Sequence, residues 1–454
     1  MPEFSKMTFD ELTREGGYDC PCGRHHGTDL KFLRIGRGVV NAVPEGLKAV
    51  GAKRPMVICD PNTYEAAGKK VCEILEGAGI PHTLYIIPQH GEKLTPAEWE
   101  LGSIVMHFDN RCDFLLAVGS GVVNDLTKMT GLCSGLKTGV VGTAPSMDGY
   151  ASNSSSMEVN NVKSTIYNKA PSVIICDTEI MAKAPMRMLW AGLGDMVAKY
   201  ISVCEWRIAH LVIGEYYCEA VADMMRTSLK KIMANASGIK TRDPEAIGNI
   251  VEGLVLAGIA MSYAQVSRPA SGLEHYFSHV WEMRALASGG HADLHGIQVG
   301  VGTILTLKIY DRIKTITPDK QKALDYVKHF DTAAWEANVR RVFGATAPAV
   351  LEIEKKTGKN DPVKHAARLE QILAHWDEIQ KIIREELPDT QTLQSVMAAT
   401  GMPTTPHELG LTPKDVSDAF VCARDIRDKY LSCSMLWDLG VMPETAKWLE
   451  TVCE

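Results

Sequence analysis

The residues with the most chemical potential lie in one stretch, SGLEHYFSHVWEMRALASGGHADLHG, residues 271–296. It holds four of the chain's fourteen histidines in two pairs, His275 with His279 and His291 with His295. Four residues is about one turn of helix, so each pair can present both imidazoles on one face. That spacing suits a metal ion, and it suits an ordinary helix surface as well. A carboxylate candidate sits in AGLGDMVAKYISVCEW, residues 191–206, where Asp195 follows two glycines at an expected helix start. It can cap that helix or bind a cation. Two imidazoles and one carboxylate leave positions open for substrate or water, as catalytic metal sites do. On the residues alone, metal ligation and hydrogen-bonded core histidines both remain open.

A second donor-rich place is CPCGRHH, with Cys20, Cys22, His25 and His26. Cys-x-Cys departs from the Cys-x2–4-Cys spacing of zinc sites. The segment is therefore expected to be a structural N-terminal feature, with metal binding the lesser reading.

Phosphate chemistry is suggested by GSGVVND, Gly119 to Asp125, which follows the apolar run FLLAV and opens a helix. Glycines let the backbone approach a ligand, and free N–H groups at a helix start attract phosphate oxygens. A ligand-free strand-to-helix turn has the same look, and Asn124 stands where the dinucleotide fingerprint has its third glycine. A second loop, GTAPSMDGYASNSSS (residues 142–156), follows the next apolar run and is dense in small hydroxyl residues. Together the two loops suggest a nucleotide laid across strand ends. Asp60, at the end of RPMVICD, can accept from a ribose hydroxyl and would repel a 2′-phosphate, which leans towards NAD over NADP. A turn or N-cap aspartate before Pro61 is the alternative.

The elements that must position these residues change character along the chain. Short unalternating apolar runs at 54–60, 82–88, 112–121, 137–146 and 171–177 read as strands covered on both faces. Helical stretches such as TYEAAGKKVCEILEGAG lie between them, which predicts a parallel, doubly wound sheet. Beyond residue 179 the pattern is helical, as in HAARLEQILAHWDEIQKIIREEL. The expected division is an N-terminal extension (1–30), a dinucleotide-binding α/β domain (31–178) and a helical metal- and substrate-binding domain (179–454).

At 454 residues the chain is long enough for two or more domains, and 45% hydrophobic with 23% charged residues is a globular composition. A net charge of -7 without a basic run argues against nucleic acid. The N-terminus lacks a signal-peptide pattern, and no uninterrupted apolar run reaches the ~18 residues of a membrane span. Twelve scattered cysteines suggest reduced thiols in the cytoplasm.

Five motifs in order, GSGVVND, TAPSMDGYAS, AGLGDMVAKY, SRPASGLEH and LHGIQVGVGT, resemble the glycerol-1-phosphate dehydrogenases, the bacterial branch more than the archaeal. That family lies within the larger group of iron-containing alcohol dehydrogenases and dehydroquinate synthases. The resemblance runs from about residue 36 to 306 and resumes near RDKYLSCSMLWDLG (427–440). It implies a dehydroquinate synthase-like fold, an α/β N-terminal Rossmann-like domain followed by an all-α C-terminal domain. It implies reversible NAD(P)-dependent interconversion of glycerone phosphate and sn-glycerol 1-phosphate, with NAD the expected cofactor and NADP an allowed one. By motif match, Asp195, His275 and His295 would bind one divalent metal, zinc, nickel or iron. Gly119, Ser120, Gly121, Val122, Val123, Asp125, Thr143, Ala144, Pro145, Ser146 and Ser152 would line the cofactor, with Asp60 at the ribose. Asp148, His279 and Lys199 would serve catalysis, His279 alternatively as a fourth metal ligand. Lys163, Lys199 and Arg268 are the candidates for the substrate phosphate, and His291 is expected to face solvent. The implied partner is a small phosphorylated triose, with no nucleic acid, no membrane span and a homo-oligomeric, dimeric state. Other enzymes of the scaffold, a glycerol dehydrogenase or a dehydroquinate synthase-like cyclase, are the competing readings, followed by a non-catalytic NAD-binding protein. The helical stretch 315–402 is longer than the family leads one to expect, an interface or a lid.

Overall fold

The computed structural model describes residues 2–89, 94–159 and 162–453. Contacts divide the chain into two compact units, Met1–Met196 with Cys218–Pro269, and Val197–Tyr217 with Ala270–Glu454.

The strands of the first unit are β1 (Tyr18–Asp19), β2 (His25–His26), β3 (Phe32–Gly36), β4 (Pro55–Cys59), β5 (Thr83–Ile86), β6 (Phe114–Gly119), β7 (Lys137–Gly142), β8 (Ser154–Val159), β9 (Val162–Tyr167) and β10 (Val173–Asp177). Six of them form one sheet in the order β3-β10-β7-β6-β4-β5, and every pairing in it is parallel. All five strands expected from the sequence are there. β3 is added at one edge, and two antiparallel hairpins, β1-β2 and β8-β9, stand apart from the sheet.

Alternate residues of the central strands explain the core. Val57, Cys59, Leu116, Val118, Val141 and Ile175 share one buried cluster with Val43, Leu47, Val71 and Leu75. The last four come from the helices Val43–Val50 and Lys69–Gly77. Each fully buried Val or Leu side chain contributes about 1.5–3 kcal/mol over its exposed state. The chain runs from β4 to β5 on one side and then returns to place β6 on β4's other side. Such a reversal opens a crevice at the C-terminal strand ends, where α/β sheets bind their ligands.

The expected boundary at 178/179 differs from the division by contacts. The helices Glu219–Asn235 and Pro244–Ala264 cluster with the sheet unit. Pro244–Ala264 is long and apolar enough to cross a membrane, yet most of its apolar stretch is buried inside the protein. A Cβ on its Gly258 would stand 2.7 Å from Ala151 Cβ, so this helix lies backbone-close to the loop after β7. It is a core helix. It starts where Pro244 takes the first turn and Asp243 accepts from the N–H groups of Glu245 and Ala246.

Among the described residues the second unit contains helices and no strands. The stretch 315–402 is an integral part of it. Asp319, Asp331, Asp361 and Asp389 each accept a backbone N–H at the start of the following helix. A cap of that kind is typically worth about 1 kcal/mol. Leu369, Ile372, Ile379, Ile383, Leu393 and Met397 are buried. Arg368 forms a two-pronged pair with the buried Asp438 at 2.7 and 2.8 Å, and the Tyr430 hydroxyl donates to the same carboxylate. These contacts join the long stretch to the C-terminal helices.

Candidate active site

In the first unit, the glycine loop sits where β6 ends. Ser120 is the N-cap of the helix Gly121–Ser134, and its side chain makes no capping bond. A Cβ on Gly119 would lie 2.6 Å from Val123 Cβ, so only glycine fits the turn. The second loop is tied beside the first. Thr143 N donates to Gly119 O at 3.1 Å, the Ser120 and Ser146 hydroxyls are 2.5 Å apart, and Tyr150 Oη donates to Ala144 O at 2.6 Å. The structure thus brings Gly119, Ser120, Gly121, Thr143, Ala144 and Ser146 together at neighbouring strand ends, with Val122 and Val123 in the first helical turn.

Two residues expected to line the cofactor have other work. Asp125 pairs with Lys128 at 3.0 Å and accepts from Ser156 N at 3.1 Å. Ser152 Oγ lies within hydrogen-bond distance of Gly149 O, Ser154 O and Lys128 Nζ, and the residue is buried. Both brace the β8 hairpin against the helix behind the loop. Lys128, which sequence reasoning missed, is the centre of that brace. Its ammonium is buried and also donates to the carbonyls of Gly149 and Ser154. The hint was its place one turn after Asn124, whose amide donates to the same Gly149 carbonyl.

Asp60 ends β4 and caps the next helical turn, accepting from Thr63 N at 2.8 Å while Thr63 Oγ1 accepts from Asp60 N at 2.9 Å. The capping alternative is therefore realised through Oδ1. Asp195 is buried in the helix Met186–Val197, and its Oδ2 accepts from Asp148 N at 2.9 Å. Gly192 explains how that helix meets the TAPS loop, since a Cβ there would stand 1.9 Å from Pro145 O.

In the second unit, the opening stretch forms the helix Leu273–Ala287, a loop, and the helix His295–Ile313. His275 and His295 face each other with ring centroids 5.3 Å apart, and His279 stacks on His295 at 5.5 Å. His275 Nδ1 is 2.8 Å from Glu274 Oε1. His295 Nδ1 is 2.9 Å from Ser278 Oγ and 3.0 Å from Glu282 Oε1. Partners on Nδ1 orient each ring and leave Nε2 as the nitrogen that could hold a metal ion. Glu274, Ser278 and Glu282 were overlooked from sequence, although Glu274 adjoins His275 and Glu282 is three residues after His279. Burial pushes the His279 imidazole well below its ordinary pKa; Glu282 pulls it up and Arg427 pushes it further down. His291 is exposed in the loop between the helices, as expected.

The phosphate candidates differ. Lys199 is fully buried with Nζ donating to Ala270 O at 3.2 Å. It stands at the start of the helix Lys199–Ile213. Arg268 is buried, and Lys163 lies half-buried on β9.

Residues 34–185 match the family described as iron-containing alcohol dehydrogenase. The glycerol-1-phosphate dehydrogenase (NAD(P)+) of Geobacillus stearothermophilus is 28% identical over 410 residues, 90% of this chain and 92% of its own. A solved glycerol dehydrogenase from Schizosaccharomyces pombe has the same fold, with a TM-score of 0.60 and 16% identity over 93% of this chain and 91% of that one. Similarity to the glycerol-1-phosphate dehydrogenase (NAD(P)+) of Halalkalibacterium halodurans reaches 30% identity over 424 residues, 93% of this chain and 95% of the relative. With both loops and the anchored histidines inside the matched span, the chain belongs to the glycerol-1-phosphate dehydrogenase family of the iron-containing alcohol dehydrogenase group.

Proposed function

We infer that the protein is an NAD(P)-dependent oxidoreductase that reduces glycerone phosphate to sn-glycerol 1-phosphate, reversibly, with the help of one divalent metal. The observation that carries this reading is the pair His275 and His295, neighbours in space with each Nδ1 held by a glutamate, which leaves Nε2 as the nitrogen proposed to ligate. Nitrogen donors with carboxylate support suit zinc, nickel or iron. Asp195 is the third ligand in this reading. When bound, the metal supplies Lewis acidity at the substrate's carbonyl oxygen and the nicotinamide supplies the hydride.

The chain's own residues bind and align. The Gly119–Ser120–Gly121 turn and the Thr143 to Ser146 loop hold the cofactor's phosphates at the start of the helix Gly121–Ser134. Asp60 keeps one carboxylate oxygen for the ribose while the other caps its helix. His279, kept neutral by burial, relays the proton that accompanies hydride addition, and Asp148 fixes Asp195 through its backbone N–H. One of Lys163, Lys199 and Arg268 meets the substrate phosphate. Twelve free cysteines, most of them buried, suit a reducing cytoplasm, and the working form in this reading is a homodimer.

The test is NADH and NADPH oxidation on a panel of phosphorylated and unphosphorylated ketones, with metal analysis of the purified chain. Steady turnover on glycerone phosphate with sn-glycerol 1-phosphate as product supports the reading. Preference for dihydroxyacetone would make it a glycerol dehydrogenase, and absence of steady NADH turnover would point to a cyclase.

A further inference from the structure

The N-terminal cysteines and histidines form a second cluster, distant in sequence from the catalytic histidines. β1 and β2 make a small hairpin in which Tyr18 pairs with His26 and Asp19 with His25. Cys20 and Cys22 occupy its turn, which is closed by Gly23 N donating to Cys20 O. Strand alternation sends the two histidines to opposite sides. His25 is exposed with Nδ1 at 2.9 Å from Asp19, and His26 is fully buried.

The fourth member comes from far along the chain. Cys218, buried at the N-cap of the helix Glu219–Asn235, places its sulfur 3.8 Å from Cys20 Sγ and 3.5 Å from His26 Nε2. Cys22 Sγ is 3.3 Å from the same nitrogen. The ligand atoms of Cys20, Cys22, His26 and Cys218 all lie within 4.8 Å of one another.

We propose that Cys20, Cys22, His26 and Cys218 form a structural zinc site that fastens the N-terminal hairpin to the helix Glu219–Asn235. With Zn–S of about 2.3 Å and Zn–N of about 2.0–2.1 Å, a regular tetrahedron has edges of about 3.8 Å between sulfurs and about 3.6 Å between sulfur and nitrogen. The separations of 3.8, 3.5 and 3.3 Å fit three edges of such a tetrahedron, and all the donor atoms lie within 4.8 Å of one another. The surroundings are built for it. His26 Nδ1 donates to Tyr263 O at 2.8 Å, which fixes the tautomer and turns Nε2 to the sulfurs. The backbone N–H groups of Cys22 and Val221 bond to the sulfurs of Cys20 and Cys218. Phe4 meets the His26 ring edge-on and Tyr263 stacks against it, sealing one side with apolar rings.

Four protein ligands leave no open position, so the site is structural. Three thiolates favour zinc over the harder cations. Cys-x-Cys looked deficient in the sequence because the partner that completes the set is 196 residues beyond Cys22.

The experiment uses the full chain, produced with zinc in the medium and carrying His275→Ala and His295→Ala to empty the proposed catalytic site. Elemental analysis after chelator washing is expected to find about one zinc per chain, lost when Cys22→Ser is added and kept with Cys133→Ser, an exposed cysteine elsewhere. X-ray absorption at the zinc edge of the unsubstituted chain adds a readout that needs no variant. It should show sulfur at about 2.3 Å, which the nitrogen and oxygen donors of the other site cannot supply. Zinc with only nitrogen and oxygen neighbours would overturn the proposal. So would a folded, zinc-free chain, including one with Cys20 joined to Cys218 as a disulfide.

Discussion

Two regions of this molecule gather histidines, and they do so in opposite ways. The N-terminal cluster combines sulfur with nitrogen, takes its donors from a hairpin turn and a helix start, and is sealed by aromatic rings. The region around His275, His279 and His295 offers nitrogen donors on two helices, braced from behind by Glu274, Ser278 and Glu282. With zinc bound as proposed, the first set closes a tetrahedron without substrate. In the proposed reading, the second leaves coordination to be completed by a substrate that comes and goes. Donor chemistry and support, not the number of histidines, separate a fastener from a reaction centre.

The sharpest way to break this contrast is to remove the reactive ligands. His275→Ala, His295→Ala or Asp195→Ala should each lower kcat/KM for glycerone phosphate by at least about a thousandfold, since a metal's Lewis acidity is worth several kcal/mol. NADH binding, measured by fluorescence, should survive. His291→Ala should match the unsubstituted chain, and full activity in His275→Ala would end the assignment.

Weaker effects probe the support. Glu274→Gln and Glu282→Gln should cost about 10–100-fold in metal affinity, measured by competition with a chromogenic chelator. Undiminished affinity in both would leave the carboxylates without a role in ligation.

Of comparable size is the phosphate contact, about ten- to a hundredfold in kcat/KM from roughly 1.5–3 kcal/mol. Lys163→Ala, Lys199→Ala and Arg268→Ala should be compared on glycerone phosphate and dihydroxyacetone. The residue that reads the phosphate loses activity on the first substrate only. Equal losses on both for all three would clear them of that role.

The smallest effect concerns Asp60. Asp60→Ser keeps a capping oxygen and removes the charge, so it should raise the NADPH-to-NADH ratio of kcat/KM by about tenfold with little loss of stability. An unsubstituted chain already favouring NADPH severalfold would contradict the ribose role.

The central strands were legible because a parallel strand covered on both faces must be apolar at nearly every position, as Pro55–Cys59 and Phe114–Gly119 are. β3 escaped notice because it is an edge strand, FLRIG, with Arg34 at its middle. The β8-β9 hairpin was hidden by its serines. Its alternate burial at Ser155 and Met157 has the period of a strand, yet small hydroxyl residues look like a loop. The histidines and Asp195 were legible as motifs. Their supporting carboxylates carry no signal in the sequence, because a glutamate beside a histidine on a helix is usually solvated. Cys218 could not have been found, since nothing local in GEYYCEAV marks its partners some two hundred residues earlier.

The most direct test is a graded chelation of the unsubstituted chain, following NADH oxidation with glycerone phosphate, metal content and thermal unfolding together. Activity should disappear while about one zinc per chain and the fold remain, and zinc, nickel or iron added back should restore turnover to sn-glycerol 1-phosphate. Undiminished turnover in a chain shown to be metal-free would contradict the proposed metal dependence.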